Sequence, residues 1–255
     1  MLVVEDEVLI RMLAVDMLLD LEREADEAGS AAERGLLANV LHFDPRDILR
    51  AVTLLKMKDR AGVVGAKGVG PLLAELLAAN DAARLHLLGH SYGCRVVLAA
   101  LCAQPLSRPV NSALLLQPAV SCLCFAGSVL DTGRPGGFRS ALERVEHPIL
   151  TTFSERDLPL RNFFHLAVRR PGDIGEVGGS RDLEAIPDVH AALGGYGPVG
   201  CAGDCDDIVM PGPSVAYTLP PGAKVVGLNG TAHISGHGDI SNEATWWALY
   251  TQVAQ

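Results

Sequence analysis

The chain has 255 residues, 49% of them hydrophobic, enough for a sizeable buried core in one large α/β domain or two smaller ones. Its 30 acidic against 21 basic side chains leave a formal net charge of −9, which argues against nucleic acid and anionic membrane surfaces as main partners. The opening residues carry no basic segment and no apolar run reaches about 18 residues, so the expectation is a cytoplasmic protein with neither signal peptide nor membrane span.

In chain order, Met1 to Val4 is a short apolar strand, Glu5-Asp6-Glu7 an acidic turn, and Val8 to Leu21 a helix with Leu9, Met12, Leu13, Met17 and Leu18 on one side. Asp44-Pro45 and Asp47 open a helix running through Ala51, Leu54, Leu55 and Met57, because Asp caps well and Pro suits the first helical position. A Gly-rich stretch (Gly62, Gly65, Gly68, Gly70) leads into a second apolar helix from Pro71 to Asn80. Arg84 to Leu88 reads as a buried parallel strand ending at a glycine, and Cys94 to Ala103 as a buried helix. Further strands are expected at Ser112 to Gln117, Ile149 to Phe153 and Lys224 to Leu228. The last helix is expected to begin near Ser241, with Asp239 as a candidate N-cap.

Between Leu158 and Gly222 the chain is rich in Gly and Pro, and residues 158–222 are expected to form an irregular cap or lid over a pocket, or a surface excursion. The β-α alternation implies an α/β fold, a mostly parallel sheet with helices on both faces, whose ligands bind at the C-terminal strand ends. Residues 1–38 differ in character from this domain, which takes in residues 39–255.

The most informative segment is Gly89-His90-Ser91-Tyr92-Gly93, a G-x-S-x-G sequence between an apolar strand and an apolar helix. A sharp strand-to-helix turn there holds the Ser91 hydroxyl at a helix N-terminus, with Gly89 and Gly93 supplying the missing side chains that a tight turn requires. A plain capping serine is the bland alternative. A nucleophilic serine needs a general base and an acid to orient it. The strand ending at Phe153 is followed by Ser154-Glu155-Arg156-Asp157, and the strand ending at Leu228 by His233 and His237. The order Ser91, Asp157, His237 results, with Glu155 the rival acid and His233 the rival base. His86 and His90 read as packing or surface residues, and His147 and His165 have no motif support. The Tyr92 N–H is the candidate oxyanion donor.

Six cysteines are expected to stay reduced. Cys94 and Cys102 look like core residues. Neither Cys122-Leu123-Cys124 nor Cys201-Ala202-Gly203-Asp204-Cys205 has the repeated pair spacing of a zinc site.

Residues 42–255 resemble the α/β-hydrolases, in particular a bacterial group of serine hydrolases. The resembling runs are MKDRAGVVG (57–65), HLLGHSYGCRVV (86–97), LLLQPAVS (114–121), HPILTTFSERD (147–157), YGPVG (196–200) and HGDISNEATWWAL (237–249). The resemblance implies an α/β-hydrolase-like fold with Asp157 as acid and His237 as base. The first 35 or so residues resemble the opening β-α unit of a response-regulator receiver domain, in which Glu5 and Asp6 would help bind magnesium. The phospho-accepting Asp, its Met-Pro loop and the later Lys have no counterpart, so phosphotransfer is not expected.

That N-terminal piece stands where a hydrolase would carry its first strands and the HG-type loop that donates the second oxyanion hydrogen bond, so the N-terminal strands are atypical or missing. The expected function is a serine hydrolase cleaving a carboxylic ester or related acyl bond of a small-molecule substrate, without a cofactor. The alternatives are a catalytically silent chimeric hydrolase domain acting through protein contacts, or an acyltransferase or thioesterase.

Overall fold

In a computed structural model of the chain the described residues are 57–129, 134–162, 164, 191–201 and 203–254. The strand and acidic turn expected at residues 1–7, the helix from Val8 to Leu21 and most of the helix expected from residue 44 lie outside them, as does the receiver-like N-terminal resemblance. Met57–Gln255 clusters as one compact unit.

Helix α1, Met57–Ala79, is continuous through the stretch whose glycines predict a break. A π-helical turn at Gly65–Val69 sits inside it. Gly65 in that turn is a contact point: a Cβ on it would lie 2.4 Å from the Val96 carbonyl oxygen and 2.7 Å from the Ala99 Cβ of the neighbouring helix. Close approach of two helix backbones, rather than a loop, accounts for that glycine. By length and composition alone α1 is long and apolar enough to cross a membrane, with a mean hydropathy of 1.4 over its best window. Lys58, Asp59, Arg60, Lys67 and Glu75 interrupt this helix, so its apolar character is an average over the window and not a continuous apolar run.

Strand β1, His86–His90, is followed by α2, Tyr92–Ala103, then β2, Ser112–Leu116, and β3, Ile149–Phe153. A short helix α3, Leu158–Asn162, another, α4, Leu193–Tyr196, and the strands β4, Cys205–Val209, and β5, Val225–Asn229, precede the final helix α5, Glu243–Val253. The sheet order is β1-β2-β3-β5-β4, and every pair is parallel. β2 and β3 are buried at every residue, as apolar strands covered on both faces should be.

Alternation of side chains divides the core into two layers. Ala113, Leu115, Ile149 and Val225 pack with Leu73 and Leu77 of α1 and Leu98 and Leu101 of α2. Leu114, Leu116, Leu150, Val226 and Leu228 pack with Ala244 and Ala248 of α5. Helices therefore cover both faces of a parallel sheet, an α/β arrangement.

Several expectations are corrected. The region 158–222 is not wholly irregular: it supplies β4 on the sheet edge, which pairs with β5 from Cys205↔Val225 to Val209↔Asn229. Cys201 and Cys205 are joined by a disulfide across a four-residue separation, where reduced thiols were expected. The N-cap of α5 is Asn242 rather than Asp239. Its side chain accepts from Thr245 N while the Thr245 hydroxyl accepts from Asn242 N, a reciprocal cap.

Candidate active site

Ser91 lies between β1 and α2 with φ 54° and ψ −123°, a backbone region that costs a non-glycine residue roughly 1–3 kcal/mol. Three main-chain hydrogen bonds hold it there: Ser91 N–H to Leu116 O at 3.1 Å, Cys94 N–H to Ser91 O at 3.1 Å and Ala119 N–H to Ser91 O at 3.2 Å. Gly89 is required, since a Cβ there would sit 2.8 Å from the Cys94 nitrogen. Gly93 is not: a Cβ on it meets nothing within 4 Å, which corrects the expectation that both glycines are needed.

The loop after β3 and the loop after β5 converge on this turn. His237 Nε2 is 2.9 Å from Ser91 Oγ, and His237 Nδ1 is 2.8 Å from Asp157 Oδ2. The carboxylate accepts, so Nδ1 carries the proton and Nε2 faces the serine hydroxyl as an acceptor. Asp157 is 0% exposed, while the His237 side chain keeps 25% of its surface. Asp157 Oδ1 accepts from Leu160 N–H at 3.1 Å, capping α3, and Oδ2 accepts a second hydrogen bond from Gln117 Nε2 at 3.2 Å. A buried carboxylate with three donors around it is well compensated for its desolvation.

The two loops are stitched to each other. Ser154 Oγ donates to Ile234 O at 2.9 Å, and Glu155 N–H donates to Thr231 Oγ1 at 3.1 Å. The turn bearing His237 is closed by Asp239 Oδ2, which accepts from both the N–H and the hydroxyl of Ser235. Those hydrogen bonds, led by the Ser235 N–H, lower the Asp239 pKa.

The rival residues are placed elsewhere. Glu155 has an exposed side chain, and its N–H is the group that binds Thr231. His233 is half-buried beside Gly212, with its N–H donating to Gly230 O and its carbonyl accepting from Asn242 Nδ2. Tyr92 opens α2, so its amide belongs to the first helical turn, whose N–H groups point outward along the axis. The upstream segment that would hold a second oxyanion donor lies outside the described residues.

Two participants escaped sequence reasoning. His90, read there as a packing or surface residue, places Nε2 2.9 Å from the His237 carbonyl oxygen, so Nε2 is its protonated nitrogen. Burial is the main cause lowering its pKa, which keeps the ring neutral and the donor in place. Gln117 bridges Asp157 and the loop of His237 through its amide. The one available signal was a polar residue closing the apolar run Ser112 to Leu116 just before Pro118.

A groove of about 310 Å³ runs beneath the elbow strand on the α5 side, lined by Leu88, His90, Leu114, Leu116, Trp246 and Leu249 among others. Ser91 and His237 are not in its walls. Among the described residues no cluster of three or more His, Cys, Asp or Glu could hold a metal ion.

No protein-family model matches the chain, and neither a curated protein nor a solved structure is significantly similar to it. The fold stands as an α/β parallel sheet.

Proposed function

We propose that the protein is a serine hydrolase of the α/β-hydrolase type that cleaves a carboxylic ester or a related acyl bond. The observation that carries this reading is the unbroken hydrogen-bonded chain from Ser91 Oγ through His237 to buried Asp157, with the serine held at positive φ on a strand-to-helix turn. The order of the three residues along the chain, each after a parallel strand, supports it.

Ser91 Oγ attacks the acyl carbonyl as its proton passes to His237 Nε2, and the Tyr92 N–H donates to the oxyanion that forms. The tetrahedral intermediate collapses when His237 Nε2–H returns that proton to the leaving oxygen, leaving an acyl-serine. Water then attacks the acyl carbon, its proton taken by His237, and collapse of the second intermediate releases the acid and restores the Ser91 hydroxyl. Asp157 keeps the imidazole in the Nδ1–H tautomer and stabilises the imidazolium in both halves. No step calls for a cofactor.

The test is hydrolysis of p-nitrophenyl acetate by the full chain and by Ser91→Ala. Turnover that the substitution abolishes is the expected result; equal rates for the two proteins would defeat the proposal.

A further inference from the structure

Gln117 sits where the loops of the acid and the base meet, and the Ser-His-Asp scheme gives it no part. It follows the last residue of β2, is fully buried, and has a backbone φ of 43°, a region that non-glycine residues rarely adopt. Its own N–H donates to Thr152 Oγ1 on β3 at 2.9 Å, which ties that turn to the neighbouring strand. From this anchored backbone the side-chain amide directs both protons into the site. One goes to Asp157 Oδ2 at 3.2 Å, and the other to the carbonyl of Gly236, the residue before His237, at 2.7 Å. A flipped amide would set Oε1 against a carboxylate and a carbonyl, two acceptors, so the orientation is fixed by chemistry.

We propose that Gln117 is a positioning residue of the reaction, a planar clamp that sets the separation of Asp157 from the His237 loop and tempers the carboxylate that orients the imidazole. The assignment rests on the hydrolase reading above. One planar amide spans both partners, adding a bridge next to the site to the Ser154–Ile234 and Glu155–Thr231 hydrogen bonds that already join the two loops. Its N–H also shares Oδ2 with the His237 Nδ1–H, drawing charge from the oxygen that stabilises the imidazolium. The titratable groups in contact with His237 are Asp157 from the loop after β3 and His90 from β1, while Asp239 of its own turn is bonded to Ser235.

Gln117→Met keeps the length and removes both donors. Losing a hydrogen bond to a buried charged group is expected to lower kcat about 10- to 100-fold. KM should stay within about twofold, as Gln117 is placed to touch the acid and not the substrate. With Oδ2 less neutralised the imidazolium is held more strongly, so the acid limb of kcat/KM moves to higher pH. A residue that merely fills space leaves that limb where it was.

Gln117→Glu, of the same length and able to donate one hydrogen bond when protonated, carries the same test if the Met variant does not fold. Its carboxyl adds a charge of its own when ionised, so in this variant the limb can rise without a clamp, and the split of kcat against KM carries the test. Lowered kcat with a raised limb in the Met variant, or lowered kcat at unchanged KM in the Glu variant, supports the clamp. Wild-type kcat with an unmoved limb overturns it, as does a loss shared equally with KM, or failure of both variants to fold. Absence of Ser91-dependent turnover in the unmutated protein is a different result: it removes the hydrolase reading itself, and this inference with it.

Discussion

Asp157→Asn exposes the logic of the site. The carboxylate accepts three hydrogen bonds and donates none: His237 Nδ1–H and Gln117 Nε2–H on Oδ2, and Leu160 N–H on Oδ1. An asparagine must point its NH2 at one of those two positions. At the Oδ2 position it opposes the Gln117 donor and forces His237 into the Nε2–H tautomer, which cannot accept the Ser91 proton. At the Oδ1 position it opposes the Leu160 N–H, keeps the tautomer, and leaves the imidazolium without a negative charge. Either placement leaves a buried donor unpaired at about 1–3 kcal/mol, or roughly 2–12 °C in Tm for a unit of this size. The catalytic loss from the wrong tautomer is larger, about 10⁴ in kcat. Steady-state hydrolysis of p-nitrophenyl acetate and a thermal melt by circular dichroism read the two effects separately. Activity within about tenfold of wild type, in a variant that melts at the wild-type temperature, would refute the claim that Asp157 orients the base.

Other outcomes follow from the packing. Gly65→Ala is expected to destabilise by about 1–3 kcal/mol, because its Cβ meets Val96 backbone and the Ala99 Cβ, whereas Gly68→Ala meets nothing within 4 Å and should stabilise by up to about 1 kcal/mol; equal melts for the two variants would contradict the α1–α2 contact. The Cys201–Cys205 disulfide closes a short loop, worth about 2 kcal/mol in the chain-entropy account, so a reducing agent should lower Tm, and thiol titration finding six free thiols without reductant would remove the bond. Desolvation, with Asp206 beside it, pushes the Asp207 carboxyl up to about 6 from 3.8. The folded state then binds more protons than the unfolded between those values, so stability falls as pH rises through that window. Asp207→Asn should melt above wild type at pH 8, with the difference gone below 3.8; a constant difference across the range would refute the assignment.

The strands at the centre of the sheet were legible because they are apolar runs bounded by Pro and Gly, and Ile149–Phe153 is the strand expected to the residue. β2 ends one residue early because Gln117 turns to positive φ, a change no local pattern announces. β4 was hidden: an edge strand reading Cys-Asp-Asp-Ile-Val has no apolar run, since its side chains are exposed or half-buried. The glycines from Gly62 to Gly70 look like breakers, yet Gly65 marks a helix contact whose partner lies thirty residues on, beyond any local window. In the site, the placement of Ser91, Asp157 and His237 after β1, β3 and β5 was readable. The contacts of Gln117 and His90 go to backbone carbonyls 119 and 147 residues away, so beyond a polar residue closing the β2 run nothing in the local sequence announces them.

The central claim is that Ser91 is an activated nucleophile, and covalent labelling reports on it without any knowledge of the substrate. The full chain, incubated with a fluorophosphonate probe and digested for tandem mass spectrometry, is predicted to carry the adduct on Ser91 and to lose it in His237→Ala. Folded protein left unlabelled at Ser91, under conditions that label a control esterase, would contradict the account.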